Sequence, residues 1–165
     1  MHLKSIVAIA AAAGACGSAF ANNFVTGSST NVDITLNSAT NWTLIRSATI
    51  TIPTSDGAVH GCVATASADV ENPGPASREN QYRFALSLDD GSPPAGTGSE
   101  RMLELVDNPG AFDDPDSKPV GTTQVFRINA QGTHTFYFVG RKIQEGDSNA
   151  KVLDASFSVI CIHTQ

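Results

Sequence analysis

The densest group of potential metal ligands is Asp113, Asp114 and Asp116, in the run Phe112-Asp113-Asp114-Pro115-Asp116-Ser117-Lys118. Closely spaced carboxylates in a loop can wrap Ca²⁺ together with backbone carbonyls. The run lacks the glycine and the closing glutamate of an EF-hand loop, and Asp-Pro-Asp is also ordinary turn chemistry, which is the reading favoured. Asp89-Asp90-Gly91 poses the same choice with fewer ligands. His60-x-Cys62 and Cys161-x-His163 have ligand spacing, and on neighbouring strands the four could approximate a Cys2His2 zinc set. Near strand ends, however, both histidines are expected to rest in solvent. No Gly-x-Ser-x-Gly elbow occurs, and no catalytic residue is assigned. His134 shares a strand face with Phe136 and Phe138, which suits a hydrogen-bonded residue at the edge of a core better than a general base. Trp42, the sole tryptophan, could stack on a sugar ring as a ligand-binding residue, but beside Leu44 it is expected to pack inside. Beyond the Ca²⁺ candidate, no cofactor is indicated.

The compartment decides which of these chemistries is open. Residues 1–21, MHLKSIVAIAAAAGACGSAFA, combine a basic start, a short apolar run and an Ala-Phe-Ala ending, the pattern of a secretory signal peptide cleaved after Ala21. The apolar run falls short of the roughly 20 residues that span a bilayer, and no later stretch spans, so a transmembrane segment is not expected. Cys16 suggests a lipoprotein site, but the bulky aliphatic residue usual three positions earlier is missing. The expected location is therefore secreted or periplasmic. Asn41-Trp42-Thr43 is a glycosylation acceptor pattern, expected to be unused behind a bacterial-looking signal.

Residues 22–165 are one domain's worth of chain. Lys4 leaves with the signal, so nine basic residues face sixteen acidic ones. Such a surface is a poor partner for nucleic acid, which demands a cationic patch.

The elements that must position these residues have a period of two. Val32, Ile34 and Leu36 alternate with polar neighbours, as do Ala48, Ile50 and Ile52, and Pro53 closes the second run. Cys62, Ala64, Ala66, Ala68 and Val70 lie opposite Val63, Thr65, Ser67 and Asp69. Tyr82, Phe84, Leu86 and Leu88 repeat the pattern, and further strands are expected at 102–106, 124–129, 133–143 and 152–163. Asn72-Pro73-Gly74-Pro75 and Asp89 to Pro94 are turn chemistry between them. The expectation is an all-β fold, a single antiparallel sandwich following a cleaved signal peptide.

Within that fold Cys62 and Cys161 both belong to inward phases, the latter with Ala155, Phe157 and Val159. In an oxidising compartment they are expected to form a disulfide. Closing about 100 residues restricts the unfolded chain by roughly 4.7 kcal/mol at most in the chain-entropy model.

The segments Gly132-Thr133-His134-Thr135-Phe136-Tyr137-Phe138-Val139-Gly140-Arg141-Lys142 and Ala150-Lys151-Val152-Leu153-Asp154-Ala155-Ser156-Phe157-Ser158-Val159-Ile160 enclose a polar hairpin. This glycine-led aromatic strand, hairpin and closing strand resembles the terminal hairpin of secreted C1q/TNF-like jelly-roll modules and of bacterial exported β-sandwich proteins. The resemblance covers about the last quarter of the chain. It implies a jelly-roll-like sandwich and a binding or assembly role, often trimeric, although no collagen-like Gly-X-Y stem accompanies it. The expected function is an exported, noncatalytic surface, matrix or binding module with a protein or glycan partner, and a homo-oligomer is possible on this pattern. The alternative is a Ca²⁺-dependent carbohydrate binder or a small secreted hydrolase using the acidic loops.

Overall fold

A computed structural model describes residues 24–29, 33–53, 59–72, 79–93, 99–106 and 116–164. The signal-peptide region and Cys16, with Asp113 and Asp114, lie outside them. The described residues form nine strands: β1 (Phe24–Ser29), β2 (Ile34–Leu36), β3 (Thr43–Ile52), β4 (Val59–Asn72), β5 (Glu79–Leu88), β6 (Arg101–Val106), β7 (Asp116–Ile128), β8 (Gly132–Lys142) and β9 (Ala150–Thr164). One sheet runs β1-β9-β4-β7, with β2 also on β9, and the other runs β3-β8-β5-β6. Every pairing is antiparallel.

The pairs are nested. β5 meets β6, β4 meets β7, β3 meets β8, and β1 with β2 meets β9. The chain is thus one long hairpin doubled back at the β5–β6 connection and rolled into two sheets, which is the jelly roll. The expected all-β sandwich is what the residues form.

The core follows the alternation. β4 turns Cys62, Ala64, Ala66, Ala68 and Val70 inward, all buried, and β9 adds Ala155, Phe157, Val159 and Cys161. The second sheet supplies the bulk through Tyr82, Phe84, Leu86, Phe136 and Phe138. Small inward side chains on the long strands of one sheet leave room for the aromatics of the other. Phe126 of β7 meets Phe136 edge-on at 5.5 Å between ring centroids, joining the two sheets.

Two bulges break the period. On β3 the register shifts between Leu44 and Arg46, placing Leu44 outside and Ile45 in the core. On β9 it shifts opposite Ser67–Asp69, where Asp154 takes the left-handed conformation with φ 43°. An extra residue in such a conformation bends and twists a strand, and here it separates the part of β9 paired with β1 from the part paired with β2. Just before β6 begins, the buried Ser99 hydroxyl accepts from Leu86 N at 2.9 Å and donates to Leu86 O at 3.0 Å, continuing the ladder on β5.

Candidate functional site

The expected disulfide is present. Cys62 and Cys161 stand opposite each other on β4 and β9, bonded, with Cα atoms 4.0 Å apart and 99 positions apart in sequence. The neighbouring pair, His60 opposite His163, has ring centroids 5.7 Å apart. With both sulfurs committed to each other, this group cannot be the Cys2His2 zinc set that its spacing allowed. The expectation that both histidines rest in solvent is corrected for one of them. His163 is exposed, but His60 is fully buried, because it continues the inward phase of β4 one step beyond Cys62.

His134 is held in place by two acceptors. Nδ1 lies 2.7 Å from the Asp89 carboxylate and Nε2 lies 3.1 Å from Ala130 O. Asp89 itself has φ 57°, and its other carboxylate oxygen accepts from Thr135 N at 2.7 Å. The unit ties the end of β5 to the start of β8, as expected of a hydrogen-bonded residue at the edge of the core. Both ring nitrogens face protein oxygens, so neither is presented to a substrate. Asp89, weighed above as a weak Ca²⁺ ligand, spends its carboxylate on this clamp. Asp116 opens β7, its backbone opposite Asn72 rather than within a loop. Among the described residues no three His, Cys, Asp or Glu side chains gather as metal ligands.

Trp42 is half-buried, but not inside the sandwich as expected. Its indole Nε1 donates to Pro93 O at 3.0 Å, and the Arg141 guanidinium lies 4.6 Å from its ring centroid. Val139 and Ala85, opposite each other on β8 and β5, belong to the outward phase yet are fully buried. Tyr137 is 3.9 Å from where a Cβ on Gly91 would sit. The segment from Asp89 to Pro93 therefore lies over the outer face of the second sheet, with Trp42 pinning it. The stacked cation occupies one face of the indole.

The five-stranded sheet is different, because its outer face carries apolar side chains that no other described residues cover. Val25, Ile160, Val63 and Val125 stand in register across β1, β9, β4 and β7 and are 75%, 49%, 42% and 69% exposed. Ile162, 52% exposed, extends the patch along β9 opposite Gly61. Beyond this row follow Gly27, Ser158, Thr65 and Thr123, then Ser29, Ser156, Ser67 and Gly121. The hydroxyls of Thr65 and Thr123 are 3.3 Å apart, and those of Ser67 and Ser156 2.8 Å apart, so each pair is satisfied within the sheet. From the Gly61 row to the Ser67 row the one charged residue is Arg127, at the β7 edge.

Scattered surface apolar residues need no explanation, but a contiguous row crossing four strands does. Of its residues, only Val63 was visible in sequence as the outward member of an alternating strand. The assembly of the row was not, because the register that aligns residues 25, 63, 125 and 160 is a property of the folded sheets. The chain matches no protein-family model and no curated protein.

Proposed function

We propose that this protein is an exported, noncatalytic binding or assembly module that engages its partner through the outer face of the five-stranded sheet. The observation that carries the reading is the in-register row Val25–Ile160–Val63–Val125. Export is supported by the N-terminal sequence pattern and by the Cys62–Cys161 disulfide, which fits an oxidising compartment. No helix of the described residues is long and apolar enough to cross a membrane. The clamped geometry of His134 favours binding over hydrolysis, since a general base needs a free nitrogen within reach of the proton it takes. The resemblance of the terminal hairpin to binding and assembly modules points the same way.

The test uses the mature protein with its disulfide intact. At low concentration the folded protein binds an apolar probe dye, and Val63→Asp or Val125→Asp abolishes that binding while near-UV circular dichroism is unchanged. A broad screen for glycosidase, esterase and peptidase activity is blank. Dye binding indifferent to both substitutions would remove the face from the argument. A reproducible hydrolytic activity lost in a folded His134→Ala variant would replace the reading with an enzyme.

A further inference from the structure

The occupant of the exposed row can be argued from its size, its charge and its shape. Resting on the reading of this face as the binding surface, we propose that the partner is a second copy of the same chain, packed face to face through the outer side of the five-stranded sheet. The first argument is area. The rows of Val63, Thr65 and Ser67 cross four strands and that of Gly61 crosses three. With strands ~4.8 Å apart and rows ~7 Å apart, the face covers on the order of 500 Å². Two such faces bury on the order of 1,000 Å² together, the least that a biological interface needs, with no contribution from another part of either molecule.

The second argument is charge. The chain has a formal net charge of −6, with sixteen acidic residues, so two copies repel one another over most approaches. None of those acids lies in the four rows, and the single cation there, Arg127, stands at the sheet edge, where its head reaches water. This is therefore a face on which like-charged copies can meet. The third argument is shape. Val, Ile, Thr, Ser and Gly are short, so the face is low and even, and two of them can stack at the ~10 Å spacing of packed sheets. A two-fold axis lying along the apolar row sets Val63 and Ile160 against their counterparts, and the same patch serves both partners. The Thr65–Thr123 and Ser67–Ser156 hydroxyl pairs already bond within their own sheet, so covering them leaves those hydroxyls satisfied.

Sedimentation velocity and light scattering from micromolar to millimolar protein test the proposal, run beside the dye measurement. The wild type is expected to pass from monomer to dimer, with dye binding falling as dimer forms. Val63→Asp, at the centre of the face, should weaken dimerisation on the order of a hundredfold, because each interface then buries two unpaired carboxylates. Val125→Asp on the edge strand should do the same if Val63→Asp fails to fold. Met102→Asp on β6, equally exposed but on the other sheet, should leave association unchanged. A dimer insensitive to both row variants overturns the proposal. A wild type that stays monomeric but binds dye through the row also overturns it, leaving the face as the site for a different partner. A monomer with no row-dependent dye binding removes both readings.

Discussion

At Gly140 the packing of the core leaves little room for a side chain. This residue lies on the inward phase of β8, and a Cβ added there would sit 3.1 Å from Ile45 Cδ1, 3.1 Å from Phe84 Cε1 and 3.2 Å from Leu36 Cδ1. The two aliphatic tips can turn away, but the phenyl ring is wedged among buried neighbours. Gly140→Ala is expected to lower stability by about 1–3 kcal/mol, seen as a reduced urea midpoint at constant m. An unchanged midpoint would show that the pocket has slack. Tyr82 gives a pH signature at the same scale. Burial, and secondarily the negative charge of Asp147, raise its phenol above the ordinary value of 10.0. The folded state therefore holds the phenolic proton more tightly than the unfolded chain does, so this contribution is intact below about pH 10 and is lost as the pH rises above it. Tyr82→Phe, which also forfeits the 2.9 Å bond to Ser148 O, should start less stable, and its melting temperature should then fall less steeply than that of the wild type above about pH 10. Parallel curves would exclude the tyrosine as the source. His60 and Trp42 take positions that their own sequence neighbourhoods do not specify. Alternation placed His60 on the inward phase, but only the continuation of β4 to Val59 shows that the core reaches that far. Trp42 was apolar enough for a core, yet the layer it joins is made by a returning loop that no local pattern reveals.

Elements were legible where the period of two ran unbroken and hidden where it did not. The strands around Cys62–Val70 and Tyr82–Leu88 follow the alternation and stand where it places them, and that at Thr133–Lys142 stands where its aromatic run placed it. β3 begins at Thr43 rather than near Ala48, because the bulge at Leu44–Arg46 puts two apolar residues side by side and erases the pattern. β7 begins at Asp116, although Pro119 and Gly121 look like breakers. It is an edge strand, where a proline need not donate to the ladder. β1, with Gly27 and Ser28, carries no alternation of its own and forms because β9 supplies its partner. The β8–β9 connection is also organised by a residue that composition alone does not distinguish. Lys142, at the inward end of β8 and 5% exposed, donates from Nζ to Asp147 O at 3.2 Å, Asn149 Oδ1 at 3.3 Å and Glu145 O at 3.4 Å. Lys142→Met keeps the aliphatic stem but strands these acceptors. It should lower stability by about 1–3 kcal/mol and speed amide exchange through residues 143–149. Normal exchange there would mean that the loop is held by its other bonds, such as Ser148 N to Asn80 Oδ1 at 2.8 Å.

At the scale of the whole molecule, the last strand carries an unusual share of the architecture. β9 lies between β4 on one side and β1 with β2 on the other, so it is an interior strand supplied by the C-terminal end of the described chain. The disulfide fastens the same strand to β4. Replacing both Cys62 and Cys161 with alanine should cost about 2–5 kcal/mol in thermal or urea unfolding while leaving the fold recognisable by circular dichroism, since the hydrogen-bonded register of β4 and β9 remains. Removing the strand is a different matter. Without residues 150–165, β1 and β2 have no partner, β4 loses one of its two neighbours, and Phe157 and Val159 leave the core, exposing the inner face of the aromatic sheet. A jelly roll built by nesting the ends of the chain around its middle has no smaller closed core to fall back on, because the outermost pair completes the first sheet. A chain ending at Asn149 is accordingly expected to show no cooperative thermal transition and to bind apolar dye throughout, whereas the disulfide-free variant still melts in one step. A cooperative transition in the truncated chain would show that β3–β8, β5–β6 and β4–β7 form a self-sufficient core, and that β9 with its disulfide is an addition to the fold rather than its closure.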